Sequence, residues 1–211
     1  MAFIHAPGLL GPTRPRTRGT QPGPRRRRRD RGGPPRGGRE PPPAPHPAGT
    51  PGAGRATTQP RPPTVTARAL EANAIELVAA SAVPVVISSR SDIVLASGAA
   101  GVNLPERDIT VHDARALLGQ RLIGRSVHSL KSALEAEQDG ADFVIFGPVF
   151  PTPTHPGSAG LGLIALGEVA QTVTIPVLAI GGVDAERGAE CLAAGAAGYA
   201  AIRLFREDPA P

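Results

Sequence analysis

From about Thr66 onward the sequence predicts a parallel α/β fold of the (β/α)-barrel type, and three observations carry the prediction. Short apolar runs alternate with helical periodicity six times. Three of the helical segments stop at a glycine, at Gly98, Gly119 and Gly140. The turns that follow strands hold the glycines, hydroxyls and histidines, which is where a barrel of this kind places its chemistry.

The elements follow in order. Residues 66–80 carry Leu70, Ala74, Leu77 and Val78 at helical spacing. Residues 84–87 read as a buried strand and 91–97 as a short helix with Gly98 as its C-cap. A strand over 101–104, a helix over 111–118, a strand over 121–124 and a helix over 129–139 come next. The strand at 142–146, the helix at 163–171, the strand at 176–180, the helix at 185–194 and a last strand at 198–202 complete the series. Near-continuous apolar strands separated by helices mean parallel pairing with both faces covered. Aromatic residues make up only 3%, so Val, Ile, Leu and Ala must fill the core. A doubly wound open sheet fits the same periodicity, and the chemistry at the strand ends is what favours the barrel.

The remainder of the chain is different in kind. Residues 1–63 hold 13 Arg, 16 Pro and 11 Gly, with Asp30 and Glu40 the only acids, a charge of +11. Residues 64–211 carry −6, so the pI near 10.8 belongs to the first segment. That segment cannot bury enough apolar surface to offset its ordering entropy and is expected to be disordered. The expected organisation is thus a low-complexity basic segment, 1–63, and a barrel domain, 64–207. Three explanations of the basic segment stand: a binder of nucleic acid or acidic surfaces, an inert tail, or GC-rich DNA read in a disrupted frame. No aromatic residue is interleaved with its arginines for base stacking, which argues against nucleic acid; the frame explanation is preferred. Cys191, the only cysteine, cannot form an intramolecular disulfide and reads as a small buried filler. No apolar run approaches the ~20 residues of a membrane span, and the N-terminus makes a poor signal peptide. A cytoplasmic protein without membrane partners is the expectation, with homo-oligomerisation left open.

Four loops carry the candidate site. Ile180-Gly181-Gly182-Val183 links a strand to a helix, so bare backbone and a helix N-terminus converge on one spot suited to an oxyanion. Ile202-Arg203, ending the last strand, would lie beside it, and Arg203 either joins the anion or caps the barrel mouth. The long loop 147–157 offers hydroxyls at Thr152 and Thr154 and a candidate acid or base at His155, whose plain alternative is a solvated histidine. Ser126 follows the strand at 121–124, Ser129 reads as a helix N-cap, and His128 either packs under that helix or reaches ligand.

Three segments, Ile123-Gly124-Arg125-Ser126-Val127-His128-Ser129, Gly140 through Phe150 and Ile175 through Gly182, together resemble the thiamine-phosphate synthase/TenI family. The resemblance covers roughly 140 residues in matching order. It implies a (β/α) barrel of which the chain holds strands three to eight, lacking the first two strands. It further implies thiamine biosynthesis by a transferase: a thiazole phosphate is joined to hydroxymethylpyrimidine pyrophosphate with Mg²⁺, and pyrophosphate is released. TenI proteins instead tautomerise a carboxythiazole phosphate, and a non-catalytic thiazole-phosphate binder is a further alternative. By resemblance, Thr152, Thr154, Gly181, Gly182, Ile202 and Arg203 hold the thiazole phosphate, Ser126 faces the pyrimidine or pyrophosphate, and Asp108 is the metal-associated acid. The departures are as specific. Ser88-Ser89 stand where the synthases have Asn-Asp, His155 where they have Lys, and Pro148 where TenI proteins have a catalytic His. Nothing in residues 1–65 resembles the family's first strands with their Gln/Arg/Lys cluster.

Overall fold

The structure, a computed structural model, describes residues 2–5, 55–58, 66–153, 157 and 159–201. Two short strands come first, β1 (Ala2–His5) and β2 (Arg55–Thr58). They are followed by α1 (Ala67–Ala80), β3 (Val86–Ser88), α2 (Ser91–Ser97), β4 (Gly101–Leu104), α3 (Val111–Leu118) and β5 (Leu122–Val127). The chain continues through α4 (Leu130–Gln138), β6 (Phe143–Phe146), α5 (Gly162–Thr172), β7 (Val177–Ile180), α6 (Ala185–Ala193) and β8 (Gly198–Ala201). From β3 to β8 every neighbouring pair is parallel and in chain order. All six expected strands and all six expected helices of this part are present.

Local chemistry explains where the helices begin. Thr66, Thr110, Ser129 and Asp184 each turn a side-chain oxygen onto an otherwise orphaned backbone N–H, at Ala69, Asp113, Ser132 and Arg187. Ser129 and Ser132 complete a reciprocal capping box. Gly98 ends α2 in the left-handed region, φ 72°.

The sheet separates two apolar layers. Outward residues such as Val102, Ile123, Val144 and Val177 pack with Ala74, Leu118, Ala133 and Leu166 of the helices. Inward residues Val86, Phe143, Ile145, Leu178 and Ala200 form a smaller cluster inside the curl, where Leu122 and Ile180 are only partly covered. The Phe143 ring lies where a Cβ on Gly124 would fall, 2.2 Å from its Cζ, so the bare strand makes room for the largest interior side chain.

Two findings differ from expectation. β1 and β2 lie within the segment expected to be disordered; the rest of that segment lies outside the described residues. β1 pairs antiparallel with β8, and β2 pairs antiparallel with β1, extending the sheet to eight strands. β2 then runs close to β3 without pairing to it. The free edge of β8 supplies the reason: backbone N–H and C=O groups left unpaired there take a strand from whatever chain can reach them. Second, β5 runs on to Val127, so Arg125 and Ser126 are strand residues, paired with Val144 and Ile145, and not part of a loop. A single Gly-Arg-Ser step looks loop-like in sequence but continues the ladder once β6 is alongside.

At the N-terminal ends of the strands, Arg115 binds the fold together. Its guanidinium donates to the carbonyls of Gly119 and Arg121 at 2.9 and 2.7 Å and of Gly140 at 3.0 Å, and pairs with Asp142 at 2.5 Å. Asp142 in turn accepts the Ile123 N–H at 2.8 Å. Replacing Arg115 by Ala orphans three carbonyls and a carboxylate, and should lower stability by about 2 kcal/mol, with Lys recovering less than half. Urea denaturation of the two variants checks this. Burial, helped by Glu190, pushes the Cys191 thiol up to about 11. Its thiolate is therefore scarce at pH 8, and iodoacetamide should label Cys191 slowly in native protein, faster as pH rises toward 11, and fully only after unfolding. Mass spectrometry of labelled samples reads the difference.

Candidate functional site

The C-terminal strand ends form one rim, and its most constrained part is the turn after β7. Gly181 and Gly182 both have positive φ, 96° and 66°, a backbone that side-chain-bearing residues rarely adopt. A Cβ on Gly181 would fall 2.6 Å from the Pro148 Cα, and one on Gly182 would fall 2.5 Å from the Pro151 carbonyl oxygen. The turn thus lies directly against the loop after β6. That loop is tied on by backbone bonds: Val149 N–H to Ile180 O at 2.8 Å and Phe150 N–H to Gly181 O at 3.0 Å. It folds back on itself, with Leu161 and Gly162 N–H donating to Pro148 and Val149 carbonyls at 2.8 and 2.9 Å. α6 starts at once after the turn with Asp184 as its N-cap, so the positive end of its dipole lies next to the bare glycines.

Further round the rim the groups are hydroxyls, an amide, a carboxylate and an imidazole. Asn103, 6% exposed, donates through Nδ2 to Ser126 Oγ at 3.1 Å, and its buried Oδ1 has no partner among the described residues. Because Ser126 Oγ accepts that bond, its own O–H is left to point elsewhere. Ser89 adopts φ 66°, the one non-glycine residue with positive φ among those described, a conformation that costs of order 1–3 kcal/mol. Its N–H donates to Asn103 O at 2.9 Å and its hydroxyl to Asp108 Oδ2. Asp108 Oδ1 accepts the Ile109 N–H at 2.8 Å. His128 makes a ring-nitrogen contact to the Gly147 carbonyl and stands 3.7 Å from the Glu106 carboxylate.

Of the expected site residues, Ser126, Asp108, Thr152, Gly181 and Gly182 all lie on this rim. Thr154, His155, Ile202 and Arg203 fall outside the described residues. Ser126 and Asp108 are linked through Asn103 and Ser89, and the glycine turn meets the loop that carries Thr152. Asn103 and Arg187 were not singled out from the sequence; a lone Asn in an apolar strand was the available signal for the first. A cleft of about 170 Å³ lies between the starts of α3 and α4 and is lined by Glu106, Arg125, Ser126, Ser132 and Glu135, so it reaches Ser126 at the end of β5. It falls below the ~300 Å³ of small-molecule sites and holds neither glycine of the turn.

The described residues do not by themselves make a Mg²⁺ site. No group of three or more His, Cys, Asp or Glu among the described residues could hold a metal. Both oxygens of Asp108 accept protein hydrogen bonds, and Ser88 and Ser89 offer neutral hydroxyls, weaker ligands for a hard cation than carboxylate oxygen. No helix among the described residues is long and apolar enough to cross a membrane.

Comparison with known proteins shows the family of this chain. Its profile, described as thiamine monophosphate synthase, matches residues 53–205. A thiamine-phosphate synthase of Chloroflexus aurantiacus is 41% identical over 128 residues, 60% of this chain and 59% of that protein. One from Chlorobium phaeobacteroides is 44% identical over 128 residues, 60% of this chain and 62% of its own length. The chain therefore spans about three fifths of the curated relatives it matches. A solved thiamine phosphate pyrophosphorylase from Pyrococcus furiosus superposes with a TM-score of 0.62 at 33% identity, covering 69% of this chain and 72% of that one. Since the match runs through every strand from β3 to β8 and through both loops that meet at Gly182, this chain belongs to the thiamine monophosphate synthase family.

Proposed function

We propose that the chain works in thiamine biosynthesis and binds a thiazole phosphate at the Gly181-Gly182 turn, as a synthase that couples it to hydroxymethylpyrimidine pyrophosphate. The observation that carries the reading is the turn itself: adjacent positive-φ glycines, held by the β6 loop, open directly onto the start of α6. That combination serves a phosphate better than any other group, because bare N–H donors and a helix dipole both favour an oxyanion. Thr152 stands in the neighbouring loop as the hydroxyl donor, with Thr154 and Arg203 expected beside it. Ser126, oriented by Asn103, directs its hydroxyl toward the pyrimidine or pyrophosphate. The two substrates thus occupy separate arcs of one rim, one strand apart.

A second reading is favoured by a specific observation. Asp108 is satisfied by Ser89 and Ile109, and Pro148 occupies the place of the TenI histidine, so a proton-transfer or metal-assisted step lacks its group. On that reading the chain holds thiazole phosphate without converting it. Pyrophosphate release from the two substrates, measured with and without added Mg²⁺, separates the two: product only with both substrates supports the synthase, and calorimetric binding without product supports the binder.

Two substitutions test the assignment of arcs. Gly182→Ala forces a Cβ toward Pro151 and should weaken thiazole-phosphate binding by about a hundredfold in calorimetry. Ser126→Ala should leave that binding within about twofold while slowing pyrophosphate release by about tenfold or more. Equal loss of thiazole-phosphate affinity in both variants would show that the two arcs are wrongly assigned.

A further inference from the structure

We infer that Arg187 is a positioning residue for the phosphate-binding turn: its guanidinium clips the loop after β6 to the carbonyl of Gly182. The inference rests on the phosphate reading of that turn and adds to it a residue outside the glycine pair. Arg187 lies in the first turn of α6, where a cation faces the positive end of the helix dipole and stabilises nothing in the helix. Its side chain is spent elsewhere. NH1 donates to Gly182 O at 2.9 Å, and the guanidinium lies over the Phe150 ring, 5.0 Å from its centroid. The carboxylate of Asp184 stands 3.9 Å from the same NH1 and accepts the Arg187 backbone N–H at 2.9 Å.

The geometry gives these contacts a purpose. The Gly182 carbonyl must point away from any anion held by the neighbouring N–H groups, and a donor on its far side keeps it there. Phe150 belongs to the loop that touches both glycines, through Pro148 and Pro151 as well as its own backbone bond to Gly181. One planar, charged group therefore grips the turn by hydrogen bond and the adjoining loop by stacking. Lysine can supply the charge but neither the fork nor the stack. The start of α6 is itself a firm base, since Gly188 lets the Tyr199 ring approach to 2.7 Å from a Cβ position. The same guanidinium sits close enough to attract an anion by charge alone, so the test must part positioning from attraction.

Full-length Arg187→Ala, Arg187→Lys, Phe150→Leu and the Arg187→Ala/Phe150→Leu double variant are compared for binding of thiazole phosphate and inorganic phosphate at low and high salt. Amide hydrogen exchange at Gly182 and Val183 is followed without ligand. The expected result is about tenfold weaker binding in Arg187→Ala, less than about threefold recovery with Lys, and a double variant no weaker than the single. Exchange at Gly182 and Val183 should quicken by about fivefold in Arg187→Ala while α4 amides stay unchanged. Full rescue by Lys, a loss that vanishes at high salt, or unchanged exchange overturns the positioning role. A wild-type protein that binds neither probe overturns the phosphate reading and the inference with it. That failure is distinguishable, because the exchange measurement reads the clip in the absence of any ligand.

Discussion

Everything in this chain hangs on the parallel ladder from β3 to β8. Each strand finds its hydrogen-bonding partner in the next strand in sequence, so each helix must cross back outside the sheet before the following strand can pair. That requirement sends every strand's C-terminal end to the same rim. It also explains why residues as distant in sequence as Ser89, Asp108, Ser126 and Gly181 lie along one edge. The helices add cover for the outer apolar layer, and their serine, threonine and aspartate caps fix where each returning strand can begin. None of the polar rim contacts would exist without the register that sets neighbouring strands level.

How legible this was depends on the range of the interaction. The alternation of elements, the Ser129 cap and the glycine stops are local properties, and they were readable because the same residues would behave that way in any context; the Thr66 and Thr110 caps were not singled out. The Gly181-Gly182 turn was equally plain, since only glycine tolerates both the φ values and the close approach of Pro148 and Pro151. Ser126 was placed just past its strand because nothing in Gly-Arg-Ser announces that β6 will pair with it. Arg187 was invisible for a deeper reason: in sequence it is one arginine on a polar helix face, and its meaning arises only when Phe150 comes alongside from 37 residues away. β1 and β2 were missed because short strands in a Pro-, Gly- and Arg-rich segment have no periodicity of their own; an unpaired neighbouring edge supplies it for them.

The Ser89–Asp108 contact sets the character of one part of the rim. A serine in a left-handed conformation bonds to a carboxylate that the family resemblance associates with metal. The strained turn presents a neutral hydroxyl, so the local field near Asp108 is that of one carboxylate already engaged by two donors. The glycine turn on the other arc keeps its whole steric logic.

The Arg115 cluster at the opposite face carries one more consequence. It ties the starts of β5 and β6 together by holding three main-chain carbonyls and Asp142 at once, while the candidate site lies at the other ends of the strands. Here the strand beginnings hold neighbouring units together while the strand ends carry the candidate chemistry. A map of tolerated substitutions along this chain should alternate between positions that govern survival of the protein in the cell and positions that govern what it recognises. The two would interleave once per βα unit, leaving the rim free to change its chemistry while the strand beginnings keep the molecule intact.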